Sequence, residues 1–176
     1  MDDECGCWLA AKHLTRNACA SYLVASLNPG NALFELRENK FRESCQIFDP
    51  GKKVVVKRIN NSLITASQMN EMVEQMLDEA TLPVGIFSLC SEFSSVILRA
   101  CQRRNWVFGK DFDAVFYDQP ALEGDLLPVS RIIQPFHQLG VLAIDKLHNL
   151  LTGHDVASKT LKPILKYPDE IIKGKF

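Results

Sequence analysis

"PVGIFSLCSEFSSVILRACQRRNWVFGKDFDAVFYD", residues 83–118, holds two apolar runs with a helical stretch between them. PVGIFSL (83–89) and DAVFYD (113–118) are strand-like: short, rich in β-branched and aromatic residues, and bounded by polar residues. EFSSVILRACQRRN (92–105) places Val96, Ile97 and Ala100 at helical intervals. Only a crossover such as a helix can return the chain to start a parallel neighbour, so strand, helix and strand read as one parallel unit.

The same alternation extends outward. Upstream, SYLVASL (21–27) reads as a strand stopped by the turn NPGN (28–31), ALFELRENKFRESC (32–45) as a helix and KVVVKRI (53–59) as a β-branched strand. SQMNEMVEQMLDEA (67–80) then carries Met69, Met72, Val73, Met76 and Leu77 at helical spacing, a stripe that predicts core packing. The first helix spans 4–16, with Trp8, Leu9, Ala11 and Leu14 in phase. Downstream, SRIIQ (130–134) is strand-like, and PFHQLGVLAIDKLHNLLTG is a helix with Pro135 in its first turn and Gly153 just past its end. The expected class is α/β, a doubly wound, Rossmann-like parallel sheet covered on both faces.

In such sheets ligands bind beyond the carboxyl ends of the strands. Asp118 falls at such an end, where a carboxylate can accept hydrogen bonds from ligand hydroxyls without entering the apolar middle of the sheet. It can equally cap the turn that Gln119 and Pro120 begin. Position alone leaves both readings open.

Composition narrows the function. The chain has 176 residues, 47% of them hydrophobic, enough for one ordinary domain with a real core. Twenty Lys and Arg against twenty-one Asp and Glu provide no overall field for a phosphate backbone or an anionic membrane. The densest basic run, GKKVVVKR (51–58), has Val54–Val56 as an expected buried strand centre, leaving Lys52, Lys53, Lys57 and Arg58 as its solvated ends. Cys5, Cys7, Cys19, Cys45, Cys90 and Cys101 are irregularly spaced and read as reduced core thiols. CGC at 5–7 is too tightly spaced for a structural zinc site, and His13, His137, His148 and His154 show no metal-ligand spacing. No apolar stretch reaches the roughly 18 residues of a membrane span, and the acidic start MDDE is unlike an export signal. No hydrolase elbow, phosphate loop, dinucleotide fingerprint or zincin motif appears. These readings predict a cytoplasmic protein that is not an enzyme and uses no cofactor or metal.

Residues 82–153 resemble the effector-binding domain of LacI/GalR-type transcriptional regulators, which share the type 1 periplasmic-binding-protein fold. The likeness rests on the strand and helix of PVGIFSLCSEFSSVILRACQRRN, the strand ending in Phe-Tyr-Asp at 116–118, and LLPVSRIIQPFHQLGVLAIDKLHNLLTG after it. DDECGCWLAAKHL resembles the helix with which those proteins leave their N-terminal subdomain. LRENKF (36–41) resembles the family's Arg-x-x-Gly-Phe, with Lys40 in place of Gly.

What the resemblance implies concerns a binding site and a missing half. Asp118 would accept from sugar-type hydroxyls and Arg37 would donate to hydroxyls, ring oxygens or a carboxylate; on its own, Arg37 reads as a solvated helix residue paired with Glu35, Glu38 or Glu43. Gln134 would lie at the last crossover into the cleft. Phe136 would add apolar surface beside the pocket, although by itself it reads as core. Cys90 and Ser91 stand where the family has Asn-Asp, and Ile64 stands near where a stacking aromatic often is. The implied organisation has residues 1–16 as a helix remnant of the N-terminal subdomain, 17–134 as the C-terminal α/β subdomain, 135–153 as a helix belonging to the N-terminal subdomain and 154–176 as a C-terminal strand and tail. The N-terminal subdomain is then mostly absent, and the two helices either fold back on the sheet or leave faces such as Leu139, Leu142, Leu147 and Leu150 for a partner. The implied function is binding of a small polar, sugar-like effector and homodimerisation in a regulator, with DNA reached only through a domain outside this chain and no membrane partner. The dimer would use Val96, Ile97 and Ala100 and the Leu-rich loop 121–127. A fragment of a sugar-binding transport protein of the same fold is the alternative.

Overall fold

The computed structural model describes residues 2–27, 30–59, 65–118 and 129–167. β1 (Ser21–Leu27), β2 (Lys53–Ile59), β3 (Val84–Ser88), β4 (Phe112–Tyr117), β5 (Ser130–Ile133) and β6 (Ile164–Lys166) form one sheet in the order β2-β1-β3-β4-β5-β6. The first five strands are parallel. β6 closes the far edge antiparallel to β5, through Arg131↔Lys166 and its two following pairs, an exception to the all-parallel expectation. The chain passes from β1 out to β2 and then back across β1 to β3, so the order reverses between β1 and β3. That reversal makes the carboxyl ends of these strands the natural crevice.

Four helices cover the sheet. α1 (Asp3–Arg16) and α2 (Ala32–Phe48) lie on one face, where Cys7, Ala10, Ala11 and Leu14 meet Phe41, Cys45, Tyr22, Phe87 and Tyr117. α3 (Ala66–Asp78) and α4 (Ser94–Arg103) cover the other, with Val73, Met76 and Leu77 packed among Ile97, Ala100, Cys101, Ile86 and Phe116. Each fully buried Leu or Phe contributes about 1.5–3 kcal/mol, so these two layers carry the stability of the fold. Rings of Tyr22, Phe41, Phe87 and Tyr117 run in sequence under α1 and α2, with the closest pair, Phe41 and Phe87, 4.7 Å apart.

Local signals set the helix starts. Asp2 accepts from the Cys5 amide at 3.0 Å, so the acidic start of the chain is a cap with two further acids in the first turn. Asn31 caps α2 through the Leu33 amide, and Thr65 with Gln68 forms a capping box on α3. The chain enters α4 through a single 3₁₀ turn, Ser91–Phe93.

Two expectations need adjustment. Val54–Val56 are only half-buried, because β2 is an edge strand with one neighbour. Phe136 is not core: it is 58% exposed at the start of α5 (Phe136–Leu151), a helix in which no residue is buried. Val141, Ile144, Leu147, Leu150 and Leu151 are exposed along it. Of the two helices expected either to fold back or to stay bare, α1 folds back on the sheet and α5 stays bare.

Candidate ligand-binding site

Two polar pairs lie beyond the carboxyl ends of the strands, Arg37 with Asp3 and Asp118 with Gln134, joined through Tyr117, which stacks under Arg37 and precedes Asp118 in the chain. Arg37 lies on the second turn of α2, with its side chain directed at the start of α1. Its Nε and Nη2 donate to Asp3 Oδ1 at 2.9 and 2.6 Å, and its Nη1 donates to the Leu89 carbonyl at 3.2 Å. The guanidinium carbon lies 3.9 Å from the centre of the Tyr117 ring, a cation–π stack. The Tyr117 hydroxyl in turn donates to Asp3 Oδ1 at 3.2 Å. Arg37 is therefore buried, only 6% exposed, rather than solvated. The glutamates once eligible to pair with it have other roles: Glu38 holds Arg58, Glu43 holds Lys40, and Glu35 accepts from the Gly30 amide.

Asp118 follows β4 with φ of 52°, a left-handed conformation that Asp tolerates through local hydrogen bonding. Its amide donates to the Ile132 carbonyl at 3.0 Å. Its carboxylate accepts from the Gln134 amide at 3.3 Å and from the Gln134 side-chain Nε2. Both of these bonds to the carboxylate thus come from Gln134, while the Gln119–Pro120 turn that Asp118 could cap lies outside the described residues. Burial pushes its carboxyl above the ordinary range, against the Gln134 hydrogen bond and the Arg37 charge, while Asp3 adds a smaller push upward. The Arg37 hydrogen bonds themselves go to Asp3 and to the Leu89 carbonyl; Asp118 feels the guanidinium's charge without bonding to it.

The other predicted residues lie on adjoining elements. Cys90 is buried next to the Leu89 carbonyl that Arg37 holds, and its own carbonyl accepts from the Ser88 hydroxyl at 2.8 Å. Burial and the Glu92 carboxylate raise its thiol. Ser91 opens the 3₁₀ turn with its hydroxyl 3.5 Å from Glu92. Phe136 follows Gln134 by two residues, its amide bonded to the Gln134 carbonyl at 2.9 Å. Ile64 and the 121–127 loop lie outside the described residues.

Sequence reasoning missed Asp3 and Tyr117. Asp3 reads as one acid in an acidic helix start, and its partner is 34 residues away. Tyr117 reads as one more apolar residue of a buried strand. The available signal was CGC: Gly6 lets α1 approach Tyr117 closely, since a Cβ there would lie 2.6 Å from the phenol oxygen and 3.1 Å from Ile132 Cγ2.

A second polar cluster lies at the opposite, amino-terminal ends of the strands, in a cavity of about 310 Å³ lined by His13, Asn17, Asp113, Ser130, Phe108 and Phe112 among others. Asp113 and Ser130 both approach the same nitrogen, His13 Nε2, each at 3.1 Å. A nucleophilic relay needs the acid and the hydroxyl on opposite nitrogens of the ring, so this group ties α1 to β4 and β5 instead. Among the described residues, no group of three or more His, Cys, Asp or Glu side chains could hold a metal ion, and no helix is long and apolar enough to cross a membrane.

No family model and no curated protein matches the chain. Solved structures do. A dimeric lac repressor with an 11-residue C-terminal deletion superposes with a TM-score of 0.77 at 20% identity, over 94% of this chain and 60% of that one. A periplasmic binding protein/LacI transcriptional regulator from Alkaliphilus metalliredigens QYMF, complexed with D-xylulofuranose, gives 0.72 at 20% identity, over 94% and 62%. An ABC transporter periplasmic solute-binding protein from Actinobacillus succinogenes 130z with bound D-allose gives 0.76 at 16% identity, over 98% and 61%. The fold is part of the type 1 periplasmic-binding-protein fold. The chain spans about three-fifths of the length of these structures.

Proposed function

We propose that this chain is the effector-binding and dimerising module of a LacI/GalR-type cytoplasmic transcriptional regulator, taking a small polar, sugar-like metabolite. The observation that carries the reading is that Arg37 stacks on Tyr117, whose chain neighbour Asp118 accepts from Gln134, at the carboxyl ends of the strands and beside the point where strand order reverses. A carboxylate acceptor, a guanidinium donor and an amide supply the hydrogen-bonding types that a polyol uses. Cys90, Ser91 and Phe136 add a small polar rim and an exposed ring. The module binds and does not catalyse. The structural neighbours crystallised with D-xylulofuranose and D-allose support the ligand class.

The organisation follows the same reading. Residues 17–134 make the C-terminal subdomain, and residues 1–16 and 135–153 connect it to the N-terminal one, which forms the second wall of the cleft and covers the bare face of α5. DNA is reached through a head outside this chain. Two copies pair through the C-terminal subdomain, near Val96 on α4. A fragment of a sugar-binding transport protein has the same fold. Six free cysteines, five of them buried, support the reducing cytosol over the oxidising space in which transport proteins work.

A thermal-shift screen of this chain against neutral sugars at millimolar concentration tests the proposal, because a ligand that binds only the folded state raises its melting point. At least one sugar raises the melting temperature, and Asp118→Ala removes the shift, consistent with loss of a charged hydrogen bond worth about 1.5–3 kcal/mol. A shift untouched by Asp118→Ala would return Asp118 to capping alone. No shift with any sugar would remove the function.

A further inference from the structure

Asp3 occupies the position that a bound anion would seek. It takes the Nε–Nη2 edge of Arg37, the edge best suited to gripping a carboxylate or phosphate with two parallel bonds. The pair is sheltered, with the Arg37 and Asp3 side chains 7% and 13% exposed, so solvent screens it little. The third observed contact of Arg37, to the Leu89 carbonyl, leaves it two N–H groups for single hydrogen bonds to a ligand. Asp118, next in the chain after the Tyr117 on which Arg37 stacks, adds a second carboxylate to the neighbourhood of the pair. An anion entering here finds one cation already neutralised and a carboxylate left over. A hydroxyl pays no such penalty, and an ammonium group is attracted.

We infer that Asp3 is a specificity-determining residue: by pairing with Arg37 it restricts the site to neutral or amino-bearing polyols and excludes sugar acids and sugar phosphates. This rests on the binding role proposed above. Arg37 then acts as a scaffold with limited donor capacity rather than as an anion clamp. Tyr117 positions the pair, stacking on Arg37 and bonding Asp3.

Isothermal titration of the chain with two matched sets of probes tests this: glucose, glucosamine, glucuronate and glucose 6-phosphate, and ribose with ribose 5-phosphate. The neutral and amino members bind at least about tenfold more tightly than the acids and phosphates, a gap of about 1.4 kcal/mol. Asp3→Asn, which keeps an oxygen facing Arg37 but removes the charge, narrows the gap; Asp3→Glu, which keeps the charge, preserves it. Anionic members bound as tightly as neutral ones by the unaltered chain would overturn the inference while leaving the binding role intact, and this comparison stands even where Asp3→Asn folds poorly. A gap unchanged in folded Asp3→Asn would also overturn it. No binding by any probe would remove the binding role, and this inference with it.

Discussion

Gly6 of α1 lies directly against the edge of Tyr117: a Cβ on residue 6 would be 2.6 Å from the phenol oxygen and 3.0 Å from Cε2. Tyr117 is fully buried, and its ring carries Arg37, so it has no free direction in which to move. Gly6→Ala should therefore destabilise the fold by about 1–3 kcal/mol, the usual cost of overpacking, and should also disturb the Asp3–Arg37 pair. Denaturant unfolding followed by far-UV circular dichroism measures this. A midpoint equal to that of the unaltered chain would mean that α1 can lift away from the sheet freely.

Removing Arg37 should cost more than removing what it touches. In Arg37→Met, Asp3 and the Leu89 carbonyl each lose a buried partner, and breaking a sheltered ion pair from one side costs about 3–5 kcal/mol. In the double variant Arg37→Met with Asp3→Asn the orphaned charge is gone, so stability should partly recover. Tyr117→Phe, which keeps the ring but loses only the 3.2 Å bond to Asp3, should cost about 1 kcal/mol. Urea midpoints for the unaltered chain, Arg37→Met, Asp3→Asn, their double variant and Tyr117→Phe decide it; strict additivity of the Arg37 and Asp3 effects would show that the two do not interact.

Asp118 predicts a trade between stability and binding. Because burial raises its carboxyl, the folded chain holds that proton more tightly than the unfolded one, so this residue's contribution falls as pH rises from the unfolded value through the raised folded value. Asp118→Asn keeps a residue that accepts positive φ and should stabilise the chain at pH 7 by less than about 1 kcal/mol, since the group is only partly shielded from solvent. The advantage should shrink as pH drops toward 4. A variant less stable than the parent at pH 7 would mean that the bonds from Gln134 outweigh the burial.

Strand and helix order was legible because each segment carries its own period and punctuation: SYLVASL carries apolar residues at both odd and even positions because β1 is covered on both faces, and Pro135 and Gly153 bracket α5. Long-range pairing was not legible. Nothing near residue 37 says that its partner is Asp3 rather than a glutamate one turn away, since burial by α1 decides that choice and leaves no local trace. Asp118 could be singled out from its place at a strand end, whereas Gln134 and Arg37 were singled out because a resemblance supplied positions that periodicity cannot. Phe136 was misread as core in isolation, as a lone apolar residue at a helix start does not report whether its helix has a neighbour. β6 pairs antiparallel to β5 although α5 lies between the two strands, so a helix between strands did not by itself report the sense of their pairing.

The far side of the sheet from α1 and α2 offers a further test, on charge rather than packing. Glu74 of α3 accepts from Arg103 at 3.1 and 2.5 Å through one oxygen and from Arg104 at 3.1 and 2.6 Å through the other, and Arg104 also reaches Asp78 at 2.8 Å. The Arg103 hydrogen bond, with help from Arg104, holds the Glu74 carboxyl below its usual range despite some burial. A lowered acid contributes stability that is present above the unfolded value and is lost as pH falls through the lowered folded value. Glu74→Gln should thus weaken the α3–α4 contact at pH 7 by up to about 1 kcal/mol, a modest figure because the network is partly exposed and salt-screened. The deficit should shrink as pH falls through the lowered folded value and shrink in strong salt. Urea midpoints for the two chains at pH 7 and over an acid series, with and without added salt, measure it, and a deficit that changes with neither pH nor salt would assign the loss to altered packing rather than to the ion pairs.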